Sequence, residues 1–164
     1  MMNLAINEAA LATALKQGNT KAYFIALQEE LSRHFTIKLL TFSEVDMTAL
    51  KAKRLYSSNE GSYSIGGLKP IEQNAWTARV IEQQQVFVAH QHSELAKVFF
   101  DHALIAELGL GSVINWPVVM HSKVIGTVNM LAEDGAYLHS DLQPLEQLLP
   151  WLAIAFLSNS TCKE

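Results

Sequence analysis

The stretch Leu108–Leu131, LGLGSVINWPVVMHSKVIGTVNML, decides the fold. It reads as two apolar strands joined by a two-residue polar turn at His121-Ser122. A strand buried on one face alternates polar with apolar residues, whereas one buried on both faces does not. This hairpin therefore belongs in the middle of a sheet. Its polar interruptions, Ser112, Asn115, Thr127 and Asn129, need partners, because an unpaired buried polar group costs roughly 1–3 kcal/mol. Such groups on a central hairpin are where a ligand pocket can begin.

Counting back from the turn, Met120 faces Lys123, Val119 faces Val124, Trp116 faces Thr127 and Asn115 faces Val128. Alternation then gives one face of Val113, Asn115, Pro117, Val119, Val124, Gly126, Val128 and Met130, which suits helix packing. The other face carries Ile114, Trp116, Val118, Met120, Ile125, Thr127, Asn129 and Leu131. Its Trp-Thr-Asn set suits a pocket roofed by the 60–110 segment. A slip of one residue would exchange the two faces.

Outside the hairpin, residues 3–17 fit a helix with Leu4, Leu11 and Leu15 on one face, stopped by Gly18. Asn19 or Thr20 can cap a second helix over 20–34, striped by Tyr23, Phe24, Leu27 and Leu31. Strands are predicted over 35–45 and 50–58, followed by the loop-like 57–70. Asn74 caps a predicted helix over 75–84 that stacks Trp76 and Val80 on one face. A short strand at 86–89 and one or two short helices over 93–108 lead into the hairpin. After it, Ser140–Gln143 has the capping-box pattern, and Pro150 kinks or breaks the final helix. The order ααββ-loop-αβα-ββα is an α+β pattern.

At 164 residues the chain is one domain by the size prior, and 49% hydrophobic with 17% charged residues excludes disorder. No apolar run approaches the ~18 residues of a membrane span. The first residues lack the basic cluster and apolar core of a secretory signal, so a soluble cytoplasmic protein is expected. A net charge of −4 argues against nucleic acid as a partner. The basic cluster Lys51, Lys53 and Arg54, alternating with Ala52 and Leu55, reads as the wet face of a strand. The single cysteine, Cys162, leaves no disulfide framework, thiolate zinc cluster or dithiol pair.

Trp76 with its helix, VFVA (86–89), VFFDHALIAELG (98–109), SVINWPV (112–118), VIGTVNML (124–131) and the last amphipathic helix together resemble the GAF domain family. The likeness covers about residues 20–158, and most closely concerns small stand-alone bacterial GAF proteins. It implies a PAS-related central antiparallel sheet, with the N- and C-terminal helices packed on one face and a ligand-prone cavity on the other. Residues 1–18 would then be an N-terminal helix serving as a dimerisation arm, 19–158 the domain and 159–164 a tail. The sharper family readings fail on residues. Lys97, Phe99 and Asp101 echo the cyclic-nucleotide signature without its spacing, and Cys162 is misplaced for a bilin thioether. Methionine sulfoxide reduction needs a pocket thiolate, which this chain lacks.

The resemblance implies a non-enzymatic sensing or regulatory module that binds a small molecule of unknown identity and acts as a homodimer. With no effector domain attached, its signal would pass to a separate effector protein. Candidate pocket residues are Tyr63, Trp76, His90, Phe99, Asp101, His102, Trp116, Thr127 and Asn129. The tryptophans would stack or line, Thr127 and Asn129 would hydrogen bond, and His102 or Asp101 would meet a polar ligand group. No catalytic residue, cofactor or metal ligand is assigned. His90-Gln91-His92 with Asp101-His102 keeps a small histidine- or metal-dependent enzyme as an alternative. Ser112 has no nucleophile elbow around it. A purely structural dimerisation module is the third reading.

Overall fold

The structure, a computed structural model, describes residues 4–161, with side chains described through 158; Cys162 lies outside the described residues. The chain divides into two compact units, one made of the chain up to Phe35 and from Asp141 onward, the other of Thr36–Ser140.

The first unit is helical: α1 (Glu8–Gln17), α2 (Thr20–Ser32), α6 (Gln143–Gln147) and α7 (Leu149–Thr161). Asn7 and Asn19 cap the first two, each side-chain oxygen accepting a backbone N–H three residues on. The turn between them is tight enough that a Cβ on Gly18 would stand 2.9 Å from the Ala14 carbonyl oxygen. Of the stripe expected on the first helix, Leu11 is buried, whereas Leu15 and Leu4 are exposed. Leu4 falls before the helix begins, because capping by Asn7 moves the start to Glu8. The Tyr23 hydroxyl donates to the Trp151 carbonyl and ties α2 to α7. The final helix breaks at Leu148, leaving Pro150 in the first turn of α7, where its missing N–H would have had no helical partner.

Thr36–Ser140 folds around a six-stranded sheet of order β3-β2-β1-β6-β5-β4, antiparallel throughout. Its strands are β1 (Leu39–Asp46), β2 (Lys51–Ser57), β3 (Leu68–Pro70), β4 (Phe87–Ala89), β5 (Ser112–Met120) and β6 (Lys123–Ala132). The hairpin β5–β6 is internal, with β1 on one side and β4 on the other. His121 and Ser122 form its turn at φ of +52° and +64°, the left-handed pair a two-residue hairpin requires. The first strand starts four residues later than predicted, because the Phe35 N–H still bonds the Leu31 carbonyl at the end of α2. The exposed edge strand β3 was not predicted; three residues at the end of a glycine-rich loop carry no alternation.

Two extra residues shift the register. Val119 pairs with Val124 but Val118 pairs with Gly126, so Ile125 is a bulge residue on β6. Beyond it Asn115 faces Asn129 and Trp116 faces Val128, one residue away from the register counted from the turn. Across β1–β2, Ser43 pairs with Arg54 and Phe42 with Tyr56, so Leu55 is extra on β2.

Over one face of the sheet lie α3 (Ala75–Thr77), continuing into a π-helical turn (Ala78–Glu82), then α4 (His92–Leu95) and α5 (His102–Glu107). Asn74 caps α3 as expected, and the predicted 75–84 helix widens because the Gln83 N–H reaches back five residues to Ala78. Two apolar clusters hold these elements down. One gathers Leu39, Leu95, Ile105, Leu110, Val113 and Leu131. The other gathers Val80, Ile81 and Val124 with Trp76 and Val119 packed against them.

Candidate functional site

A cavity of about 360 Å³ lies on this face of the sheet, lined by members of both clusters. Its floor is β1, β6 and β5, through Leu39, Thr41 and Ser43, then Thr127, Asn129 and Leu131, then Val113 and Asn115. Trp76, Thr77 and Ile81 form one wall; Tyr63, Phe99, Asp101 and Ile105 form the other. Exposed Lys69, Pro70 and Phe100 also line it, so they mark its mouth. Phe100 is 80% exposed, with the Lys69 ammonium 5.4 Å from its ring centre.

The polar groups of the floor form a directed chain. Trp76 Nε1 donates to Asn115 Oδ1 at 2.9 Å, Asn115 Nδ2 to Asn129 Oδ1 at 2.8 Å, and Asn129 Nδ2 to Thr41 Oγ1 at 3.1 Å. An indole N–H can only donate, so it fixes the orientation of both amides and leaves Thr41 as the acceptor. The Thr41 hydroxyl hydrogen is then free to donate elsewhere. The bulge at Ile125 makes the chain possible, because it brings Asn115 opposite Asn129.

The second polar group is Arg54, Tyr63 and Asp101. The Tyr63 hydroxyl donates to Asp101 Oδ2 at 2.9 Å, and the Arg54 guanidinium lies 4.9 Å from the Tyr63 ring centre. Burial, then the Asp101 charge and hydrogen bond, pushes the Tyr63 phenol upward from its ordinary value, so it remains a donor. Burial lowers the Arg54 guanidinium from its own value, against the opposing pull of Tyr63 and Asp101. Arg54 Nη1 donates to the Ser64 carbonyl at 3.0 Å, while its Nε is buried without a partner.

No family model matches the chain, and no curated protein does. Solved structures do match. The GAF domain of a two-component sensor histidine kinase from Bacillus halodurans superimposes with a TM-score of 0.65, over 86% of this chain and 95% of its own, at 20% identity. The GAF domain of an Acinetobacter phosphoenolpyruvate-protein phosphotransferase gives 0.67 over 95% and 91%, at 9% identity. A GAF domain/HD domain protein from Geobacter sulfurreducens gives 0.65 over 92% and 97%, at 14% identity. This chain has the GAF fold. At these identities the likeness is one of fold, and the chemistry of this GAF cavity has to be argued from its own side chains.

Six of the nine candidate residues, Tyr63, Trp76, Phe99, Asp101, Thr127 and Asn129, line the GAF cavity together. His90, His102 and Trp116 do not line it. Trp116 pairs with Val128 and stands on the opposite face, exchanged there for Asn115 by the Ile125 bulge. His90 follows β4, its backbone N–H held by Glu94 and its carbonyl accepting from Ser112. The His102 ring meets the His92 ring edge-on at 5.6 Å. Among the described residues no three His, Cys, Asp or Glu side chains gather to hold a metal ion.

Arg54 lines the cavity although the sequence placed it with Lys51 and Lys53 on a wet face. The signal that could have separated them is the strand period itself. Lys53 and Arg54 are neighbours on β2, so they point to opposite sides, and Arg54 shares its side with Ala52.

Proposed function

We propose that this protein is a non-enzymatic, cytoplasmic sensory or regulatory module that takes a small molecule into the GAF cavity and works as a homodimer with a separate effector protein. The observation that carries the ligand is the floor itself. Ser43 and Thr127 face each other across β1 and β6 and line the cavity, and among the described residues neither hydroxyl has a hydrogen-bond partner. Thr127 is only 2% exposed, so bulk water barely reaches it. Unspent polar capacity enclosed by apolar walls is the makeup of a small-molecule site. The histidines that an enzyme reading would enlist lie outside the cavity lining, which favours binding over catalysis.

A thermal-shift screen of metabolites, nucleotides and porphyrins tests the reading. A ligand at 100 times its dissociation constant adds about 2.7 kcal/mol, or roughly 5–10 °C for a domain of this size. No shift across the panel refutes sensing and leaves a structural module. Sedimentation of the intact chain tests the homodimer, and a monomer at all concentrations refutes it.

A further inference from the structure

The register places three polar residues in one row across three strands. Arg54 of β2 pairs with Ser43 of β1, and Ser43 pairs with Thr127 of β6. All three line the cavity, and directly opposed residues bring their Cβ atoms to about 4.5–5.5 Å. Thr41, two residues along β1 on the same face, adds a hydroxyl whose hydrogen the Trp76–Asn115–Asn129 chain leaves unspent. Unspent in this row are three hydroxyls and the Arg54 N–H groups beyond the Nη1 bond to Ser64, and a guanidinium can only donate. The only charge in the row is the positive one of Arg54, which asks for an anionic acceptor, and the hydroxyls can donate to it as well.

The charge that fits is limited by the rest of the lining. The cavity's ionisable side chains besides the tyrosine are Arg54 and Lys69 against Glu72 and Asp101. Lys69 stands at the mouth over Phe100, and the Asp101 charge lies near enough to Arg54 to oppose part of the lowering that burial causes. Lys69 and Glu72 are both exposed, so the interior holds Arg54 against Asp101, and a second negative charge on the ligand would meet no second cation there. The guanidinium, 4.9 Å from the Tyr63 ring centre, carries planar paired donors of the kind suited to two coplanar oxygens. Beyond the row the lining turns apolar, through Leu39, Val113 and Leu131 below and Phe99 and Ile105 beside.

We propose that this cavity recognises a singly charged carboxylate, held by Arg54 with the Ser43 and Thr127 hydroxyls, on a ligand whose remainder is apolar. The proposal rests on the small-molecule reading above and names the ligand's class.

The test titrates hexanoate, 3-phenylpropionate and indole-3-acetate, each beside its primary amide, with phenyl phosphate as the dianion. The probes go into the full ¹⁵N-labelled chain, with the Trp76 indole N–H as reporter. At least one acid should bind ten-fold or more tighter than its amide and tighter than phenyl phosphate. Arg54→Gln should weaken that acid about 10–100-fold, the loss of a charge-assisted hydrogen bond, and leave amide binding unchanged. Thr127→Val, which keeps the side chain's shape, should weaken the acid several-fold and carries the test if Arg54→Gln does not fold. Acids no tighter than amides, an acid preference that survives these substitutions, or tighter phenyl phosphate overturns the carboxylate. Amides that move the Trp76 signal while acids do not overturn the carboxylate and leave the sensing cavity standing. If no probe moves it, the carboxylate proposal falls, and the wider thermal-shift panel decides separately on sensing.

Discussion

Replacing Asn115 by leucine interrupts the floor's polar chain at its centre with little change of shape. Asn115 is 3% exposed, accepts from Trp76 and donates to Asn129. Each such bond contributes about 0.5–1.5 kcal/mol net, and the substitution orphans the Trp76 N–H and the Asn129 carbonyl oxygen. Both residues border the cavity, so water can reach part of what is lost. The expected destabilisation is therefore about 1–3 kcal/mol rather than the full cost of two sealed orphans. With a urea m-value of about 2 kcal/mol/M, the unfolding midpoint should fall by roughly 0.5–1.5 M at unchanged m. The double variant Asn115→Leu/Asn129→Leu removes both ends of one bond, so it should lose less than the sum of the singles by at least about 0.5 kcal/mol. Exchange of the Trp76 indole hydrogen should quicken in Asn115→Leu. A single-variant loss below about 0.5 kcal/mol, or additivity in the double variant, would refute the chain as a cooperating unit.

Glu30 on α2 sets the acid limit of the helical unit. It is 4% exposed and accepts from the Asn7 N–H, Arg33 Nη1 and His34 Nε2, contacts that overcome the upward push of burial and hold its carboxyl below the usual range. A carboxyl depressed in the folded state contributes stability above its unfolded value and loses it as pH falls through the folded one. Urea midpoints should therefore drop as pH falls below about 4, and Glu30→Gln should lower stability by about 2 kcal/mol near neutrality while flattening that acid limb. An unchanged limb in the variant would count against this assignment. At the hairpin turn, Ser122 holds a left-handed φ without being glycine, and its carbonyl accepts from Gln84 Nε2. Ser122→Gly keeps that backbone acceptor and removes the strain, so it should stabilise by about 0.5–1 kcal/mol, or roughly 1–4 °C in Tm. An unchanged or lower Tm would sink the argument.

The strands were legible where one side chain type had to face one side. The two-residue turn at His121-Ser122, the internal position of its hairpin and the cap at Asn74 follow from local chemistry that no distant contact overrides. The register beyond Val119 did not follow, because the hairpin is apolar on both faces. A pattern without contrast between faces cannot reveal one extra residue, so Ile125 left no trace in the alternation. Counting from the turn without that residue puts Trp116 on the pocket side and Asn115 on the other, the reverse of where the bulge places them. Thr127 and Asn129 kept their place because their pairing with β1 does not pass through the bulge. The opposite failure placed Arg54 on a wet face. There alternation separates Lys53 from Arg54, whereas charge alone groups them.

The two bulges explain why this sheet has a cavity with polar chemistry at all. Were Leu55 paired in line with Phe42 rather than bulged out, Tyr56 would stand opposite Thr41 on the cavity face, and its ring would fill the floor. The extra residue turns Tyr56 to the other side, where it meets Phe42 edge-on at 6.1 Å. Were Ile125 paired in line with Val118 rather than bulged out, Asn115 would face Val128, and the indole N–H of Trp76 would end on an amide with no onward partner. Each bulge is therefore a one-residue device that decides which side chains reach the floor, one clearing space and the other completing the hydrogen-bonded chain. Neither adds a functional group. The consequence is that the cavity's chemistry is encoded less in its lining residues than in the strand phase that presents them. Related sequences could keep every residue of Thr41, Ser43, Arg54, Asn115, Thr127 and Asn129 and still lose the site if either strand paired in line where this one bulges, at 55 or 125.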